Sequence, residues 1–200
     1  MTMENPSALD PKLVDRAKGI ILRPKLEWPV IAAETATVKG LFTRYAMILA
    51  AIGPVCGLVG AALFNMGGIV GVLVASAVTY VLSLIAVYLL GIIIDGLASS
   101  FGAEQNMLQS MKLAVYAMTP YWLAGVFNLI PVLAFLGFFA ALYGFYLLYL
   151  GLGPVKKAPE DKAVLYTIVA ILVSFVLNVI VSVFGWLVAL PFMAFGAFIS

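Results

Sequence analysis

Histidine is absent from this 200-residue chain, and cysteine occurs once. The first absence removes the commonest general base and the commonest metal ligand. The second, with Cys56 inside an apolar run, excludes an intrachain disulfide. Charge is scarce too: 11 basic and 9 acidic side chains make up 10% of the chain, against about 25% in an ordinary soluble domain. There is no Gly-rich phosphate loop carrying a lysine and no metal-ligand spacing. A serine–histidine pair or two membrane aspartates, as intramembrane proteolysis requires, are missing as well. Ser99 and Ser100 beside Glu104 read as loop polarity. The sequence therefore assigns no catalytic, cofactor-binding or metal residue, and the chain reads as non-enzymatic, with no nucleic-acid partner.

What the chain does have is apolar length. Its hydrophobic fraction is 64%, more than a domain of this size can hide from water. The solvent must be lipid. A hydrocarbon core is crossed by about 20 mostly apolar residues, and five such runs are expected: 41–64, 69–94, 112–130, 132–152 and 163–184. Pro54 should kink the first, and Pro120 should break the third near its middle. The apolar tail, 185–200, is short and interrupted by Gly185 and Pro191. It either extends the fifth span or folds back as a re-entrant piece. The expected fold is an all-α polytopic membrane helix bundle of five transmembrane helices.

The first 40 residues form a separate, more polar segment, with no sign of a secretory leader. Asp10 is placed to cap a helix that starts at Pro11. Leu13, Val14, Ala17, Ile20 and Ile21 then recur at helical spacing up to about residue 23. Such a basic amphipathic helix can lie in the membrane interface or pack on the protein's own loops. In the interfacial reading, Lys12, Arg16, Lys18 and Arg23 face lipid headgroups and Trp28 anchors the interface.

The stretch GLGPVKKAPEDKA, 151–163, breaks the apolar pattern with Lys156, Lys157, Glu160, Asp161 and Lys162. Basic residues counted by connection run six, none, one, none, three, none from the N-terminal segment to the tail. That alternation follows the preference of lysine and arginine for the cytosolic side. The N-terminus is therefore expected in the cytosol and the C-terminus outside. Lys156 and Lys157 join the expected headgroup contacts, chiefly to anionic lipids. A homo-oligomer or an unidentified cytosolic protein would complete the partners.

Arg44 and Asp95 are the ionisable residues nearest the lipid, at similar depth. They either pair, or share a polar cluster with Glu104, or each snorkels into the headgroups. Thr79, Ser83, Ser174 and Asn178 lie mid-membrane and are expected to bond within or between helices. Glycines four apart, Gly53 with Gly57 and Gly67 with Gly71, suit either close packing of the first two spans or a dimer contact.

The stretches KLAVYAMTPYWLAGVFNLIP and LYGFYLLYLGLGPVKKAPEDKAVLYT, with LVDRAKGIILRPKLEWPVIAAE before them, resemble the Yip family, bacterial branch. Tyr116 followed by Pro120, then Pro131, carries the likeness. The resemblance implies a five-span bundle with a cytosolic N-terminus in an inner membrane. It also singles out Tyr116 and Pro120, which otherwise read as a bend and the side chain that fills it. Eukaryotic relatives bind small GTPases in vesicle traffic. The acidic, aromatic Gly-Pro pattern that opens their first span is replaced here by TVKGLFTRY, so that role is not carried over. The sequence thus points to membrane organisation or partner recruitment at the cytosolic face, with a small-solute or ion permease as the alternative.

Overall fold

A computed structural model describes residues 11–64 and 69–198, and every regular element among them is helical. Helix α1, Pro11–Leu22, starts on the proline the sequence marked. Its Leu13, Ala17 and Ile20 turn inward onto the protein, while Asp15 and Lys18 stay exposed. Helix α2, Pro24–Ala33, again opens on a proline, whose missing N–H costs nothing in a first turn. Asp10 lies outside the described residues.

Helix α3, Val38–Leu63, is one of three described helices long and apolar enough to cross a membrane. Thr37 caps it, its hydroxyl accepting from Gly40 N at 3.0 Å. A π-turn occupies Phe42–Ala46, and the α-helical pattern lapses at Ala51 before resuming at Ile52. Pro54 explains that lapse: it offers no N–H to Ala50, and its ring crowds the same carbonyl. Helix α4, Ile69–Ala98, and a 3-10 turn, Ser99–Phe101, make up the second long apolar stretch. Gly102 ends it with φ 69°, a left-handed stop that favours glycine.

The run expected as a third span is not one helix. It divides into α5, Met107–Ala117, and α6, Thr119–Ala124, followed by 3-10 turns Gly125–Leu129 and Pro131–Leu133. Pro120 is the physical cause. The helix stops at Met118, and the proline is accommodated in the first turn of α6 instead of kinking a continuous helix. Helix α7, Leu136–Lys156, is the third long apolar helix. Helix α8, Glu160–Phe198, runs 39 residues through Gly185 and Pro191, so the apolar tail extends this helix and does not fold back.

The charged stretch at 151–163 now has a local explanation. Only residues 157–159 are non-helical. Lys156 ends α7, while Glu160 and Asp161 begin α8. Basic groups therefore meet the negative end of one helix dipole and acidic groups the positive end of the next. Lys157 makes the reversal in a left-handed conformation, φ 51°.

Packing follows small residues and rings. Helix α8 lies along α4, with Tyr166 fully buried and stacked on Phe101, ring centroids 4.7 Å apart. The Tyr166 hydroxyl donates to Ile94 O. Helix α3 packs on α4, but the tightest approach of its glycine stripe is not to α4. It is to the Gly125–Leu129 turn: a Cβ on Gly125 would lie 2.6 Å from Gly53 Cα, and one on Gly60 2.7 Å from Asn128 O. Breaking the third run brings its backbone against α3, and only glycine permits that approach. Gly67 lies outside the described residues. Accordingly, Gly125→Ala should cost about 1–3 kcal/mol through overpacking. Gly96→Ala, where an added methyl meets nothing within 4 Å, should be neutral or slightly stabilising. Thermal unfolding in detergent compares the two.

Candidate functional site

The polar residues collect where helix ends meet. The end of α2, the start of α3, the end of α4, the start of α5 and the turn between α7 and α8 all contribute. Two separate constellations result.

In the first, Lys156 is fully buried. Its Nζ donates to Asp95 Oδ1 at 2.9 Å, to Ser110 Oγ at 2.6 Å and, more weakly, to Asn106 O at 3.4 Å. Ser110 Oγ donates in turn to the same Asp95 oxygen at 2.9 Å, and Asn106 N does so at 2.7 Å. One carboxylate thus gathers α4, α5 and α7. Glu104 N reaches Lys156 O at 2.8 Å, which fastens the 102–106 connection to the same point.

The second constellation holds the N-terminal helices. Lys112 is 1% exposed, and its Nζ donates to Ile31 O at 2.8 Å and Glu34 O at 2.7 Å. An ammonium placed on the last carbonyls of a helix satisfies groups the helix itself leaves open. Gln109 Nε2 adds a bond to Ala32 O at 2.9 Å, and the Tyr143 hydroxyl one to Ile21 O at 2.6 Å. Trp28 is fully buried, its ring against Gly151 and its own helix locked onto α7. A Cβ on Gly151 would sit 2.8 Å from the indole.

Between α1, α2 and the π-turn of α3 lies a cleft of about 890 Å³. Arg16 forms one side, paired with both Glu27 and Glu34. Its guanidinium carbon stands 5.9 Å from the centre of the Tyr116 ring, a cation–π contact. Tyr116 meets Tyr45 edge-on at 4.8 Å, and the Tyr45 hydroxyl shares a 2.9 Å hydrogen bond with Thr119 Oγ1. Arg44, carried on the π-turn, also lines the cleft and is exposed. Turns of this kind are frequent at functional sites.

Several sequence expectations are rearranged. Arg44 and Asp95 do not meet: Arg44 lines the cleft with Tyr116, and Asp95 binds Lys156. The π-turn accounts for this, since one extra residue per turn swings side chains by about 100° around the helix. Glu104 joins neither group and instead pairs with Lys157 at 2.7 Å on the surface. Pro120 is buried in the first turn of α6. Among the expected headgroup contacts, Trp28 and Lys156 face protein, and Arg16 is held by two glutamates. Lys18, Arg23 and Lys157 are exposed. The side chain of Lys12 lies outside the described residues, as does that of Asn178. Ser83 and Ser174 bond to carbonyls of their own helices, Tyr80 O at 2.8 Å and Ala170 O at 2.5 Å. Lys112, Ser110, Glu27, Glu34, Tyr45 and Thr119 were not singled out from the sequence. Their partners lie up to 81 residues away, and no local spacing signals them.

The family model described as the Yip1 domain matches residues 18–181. The chain belongs to the Yip1 domain family. Within this membrane-protein family it is 26% identical over 161 residues to the inner membrane protein YohC of Escherichia coli K12. That match covers 74% of this chain and 83% of the relative. YohC of E. coli strain CFT073 matches to the same extent. No solved structure matches. The Yip1 match spans both constellations and all of the cleft except Leu13, Asp15 and Arg16.

Arg16 is only 14% exposed at its side chain and serves two carboxylates and a ring. Arg16→Met should therefore cost about 2–3 kcal/mol, the scale of a lost hydrogen bond to a charged group. Lys157→Ala removes an ion pair that is 69% and 56% exposed and should change stability by less than about 1 kcal/mol. Chemical or thermal unfolding of the two variants side by side checks the contrast.

Proposed function

We propose that this Yip1-family chain is a non-enzymatic, five-span protein of the inner membrane that organises membrane or recruits a partner at its cytosolic face. The spans would be α3, α4, the broken segment 107–129, α7 and α8. The observation that carries this reading is the gathering of Asp95, Lys112, Arg44 and Lys156 at helix ends that touch one another, with long apolar stretches running away from them. Charges at one end of such a bundle suit a single aqueous face, because a charge at the bilayer centre is costly. The inner-membrane name of the YohC relatives supports the location.

The N-terminal segment 1–40 belongs to that face in this reading, pinned there by Lys112 and Trp28. Its exposed Lys18 and Arg23, together with Lys157 beyond α7, are available to anionic headgroups at about 1 kcal/mol per basic residue near the surface. Lys12 stands in the same role.

One observation favours a permease as the second reading. A cavity of about 390 Å³ lies between α3, α4 and residues 121–137, lined in part by Ser76, Thr79 and Asn128. Among the described residues, no ionisable side chain other than Tyr121 borders it, so it suits a neutral solute better than an ion. The cavity does not unite Arg44, Asp95 and Tyr116.

Topology decides the first reading. In a Cys56→Ala background, Lys157→Cys should react with a membrane-impermeant maleimide only after the inner membrane is opened. A reporter fused after Ser200 should read as external. Labelling of Lys157→Cys from outside would contradict the arrangement. Proteoliposomes holding the protein should show no flux of small neutral solutes; a flux lost in Thr79→Val would favour the permease instead.

A further inference from the structure

The cleft beneath the N-terminal helices carries charges that the fold does not use. Among the described residues, Arg44 has no carboxylate within ion-pair reach, and Asp15 has no cation within it. Both are exposed and border the same space of about 890 Å³. Glu34 gives one oxygen to Arg16 yet keeps a side chain 42% exposed. The cleft therefore offers an unmatched cation on the α3 rim and unmatched carboxylate on the α1–α2 rim, above a floor of Tyr45 and Tyr116.

Its size falls in the range of about 300–1,000 Å³ typical of small-ligand sites. Its depth is fixed by Arg44, which sits near the start of an apolar helix, where a guanidinium reaches the headgroup layer. Directly after it, Met47 and Ile48 are 40% and 42% exposed, so an apolar chain leaving the cleft would run down the α3 surface. The two tyrosines, apolar in body and polar at the tip, suit the same interface.

We infer that this cleft binds the headgroup of a zwitterionic aminophospholipid. The phosphodiester lies against Arg44, and the primary ammonium lies against Asp15 and Glu34. Guanidinium and phosphate form short, charge-assisted hydrogen bonds, as do ammonium and carboxylate. An anionic lipid would satisfy Arg44 and leave the carboxylates facing its own charge. A trimethylammonium headgroup carries the right charges but has no N–H to donate. The site therefore ranks lipids by chemistry and not by net charge alone.

This inference rests on the reading that the cleft lies at the membrane surface. Its test is independent of which side of the membrane that surface faces, because it is done in detergent. The purified full chain is offered equal amounts of phosphatidylethanolamine, phosphatidylglycerol and phosphatidylcholine with identical acyl chains. Native mass spectrometry then counts what stays bound. Phosphatidylethanolamine should be retained about tenfold over each of the others. Arg44→Gln should abolish that retention and Arg44→Lys should keep most of it. Asp15→Asn should erase the preference over phosphatidylglycerol while some phospholipid still binds. The substituted side chains are exposed and make no ion pair among the described residues, so an unchanged melting temperature separates lost binding from lost fold. Equal or better binding of phosphatidylglycerol by the unaltered chain, or full phosphatidylethanolamine retention in Arg44→Gln, would overturn the assignment. External labelling of Lys157→Cys would instead remove the topology and leave this result standing.

Discussion

A lysine ammonium with no access to water must find its full set of partners inside the protein. Lys156 is that group here, and the meeting of α4, α5 and α7 is arranged around it. Withdrawing an ammonium from water costs several kcal/mol, and only good geometry with further hydrogen bonds repays it. Asp95, Ser110 and the Asn106 carbonyl supply that geometry. None of the three is close to Lys156 in sequence. The cost therefore enforces a tertiary arrangement, because any packing that separates α7 from α4 leaves two unpaired charges. Lys112 repeats the device at the neighbouring corner. Its ammonium rests on carbonyls at the end of α2, so the N-terminal helices are held by a buried charge as well as by Trp28.

These two lysines determine what remains available for function. With Lys156 and Lys112 satisfied internally and Arg16 shared between Glu27 and Glu34, the unused charge is concentrated at Arg44, Asp15 and the exposed basic residues of the surface. The fold thus separates charges that fasten helices from charges that can meet lipid or a partner. A chain built mostly of apolar helices has few polar groups to spend, and this one places most of them at touching helix ends. The Yip1 match covers nearly the whole of that arrangement. In the proposed reading its specific use in this chain lies in side chains such as Arg44, which is exposed and makes no ion pair among the described residues.

How much of this could be read from the sequence depended on whether the signal was local. Apolar runs gave the long helices, and Pro11, Pro54 and Pro120 marked a real start, a real lapse and a real stop. Helix ends moved because caps and dipoles act over single turns: α7 takes in Lys156 and α8 begins at Glu160, inside what reads as a charged loop. The glycines of α3 announced a close approach without saying to what. Their partner is the backbone of 125–129, which exists in that form only because Pro120 divides the third run. Trp28 looked like an interfacial anchor since an isolated tryptophan near an apolar run has that profile; only the gap at Gly151 shows that it is a core residue. The ion pairs were least legible. Asp95 and Arg44 share a depth, but a π-turn in α3 redirects the arginine and a lysine 61 residues away takes the aspartate.

The central claim is that the Lys156–Asp95 pair couples helices energetically and is not a surface ornament. A double-mutant cycle measures this directly, using unfolding free energies in detergent for Asp95→Asn, Lys156→Met and the double variant. Asp95→Asn should cost about 3–5 kcal/mol, because it strands the fully buried ammonium. Lys156→Met should cost less, because the Asp95 side chain is 17% exposed and keeps its bonds from Ser110 and Asn106. The double variant should be much more stable than the sum predicts, with a coupling of at least about 2 kcal/mol. Strictly additive losses would contradict the account.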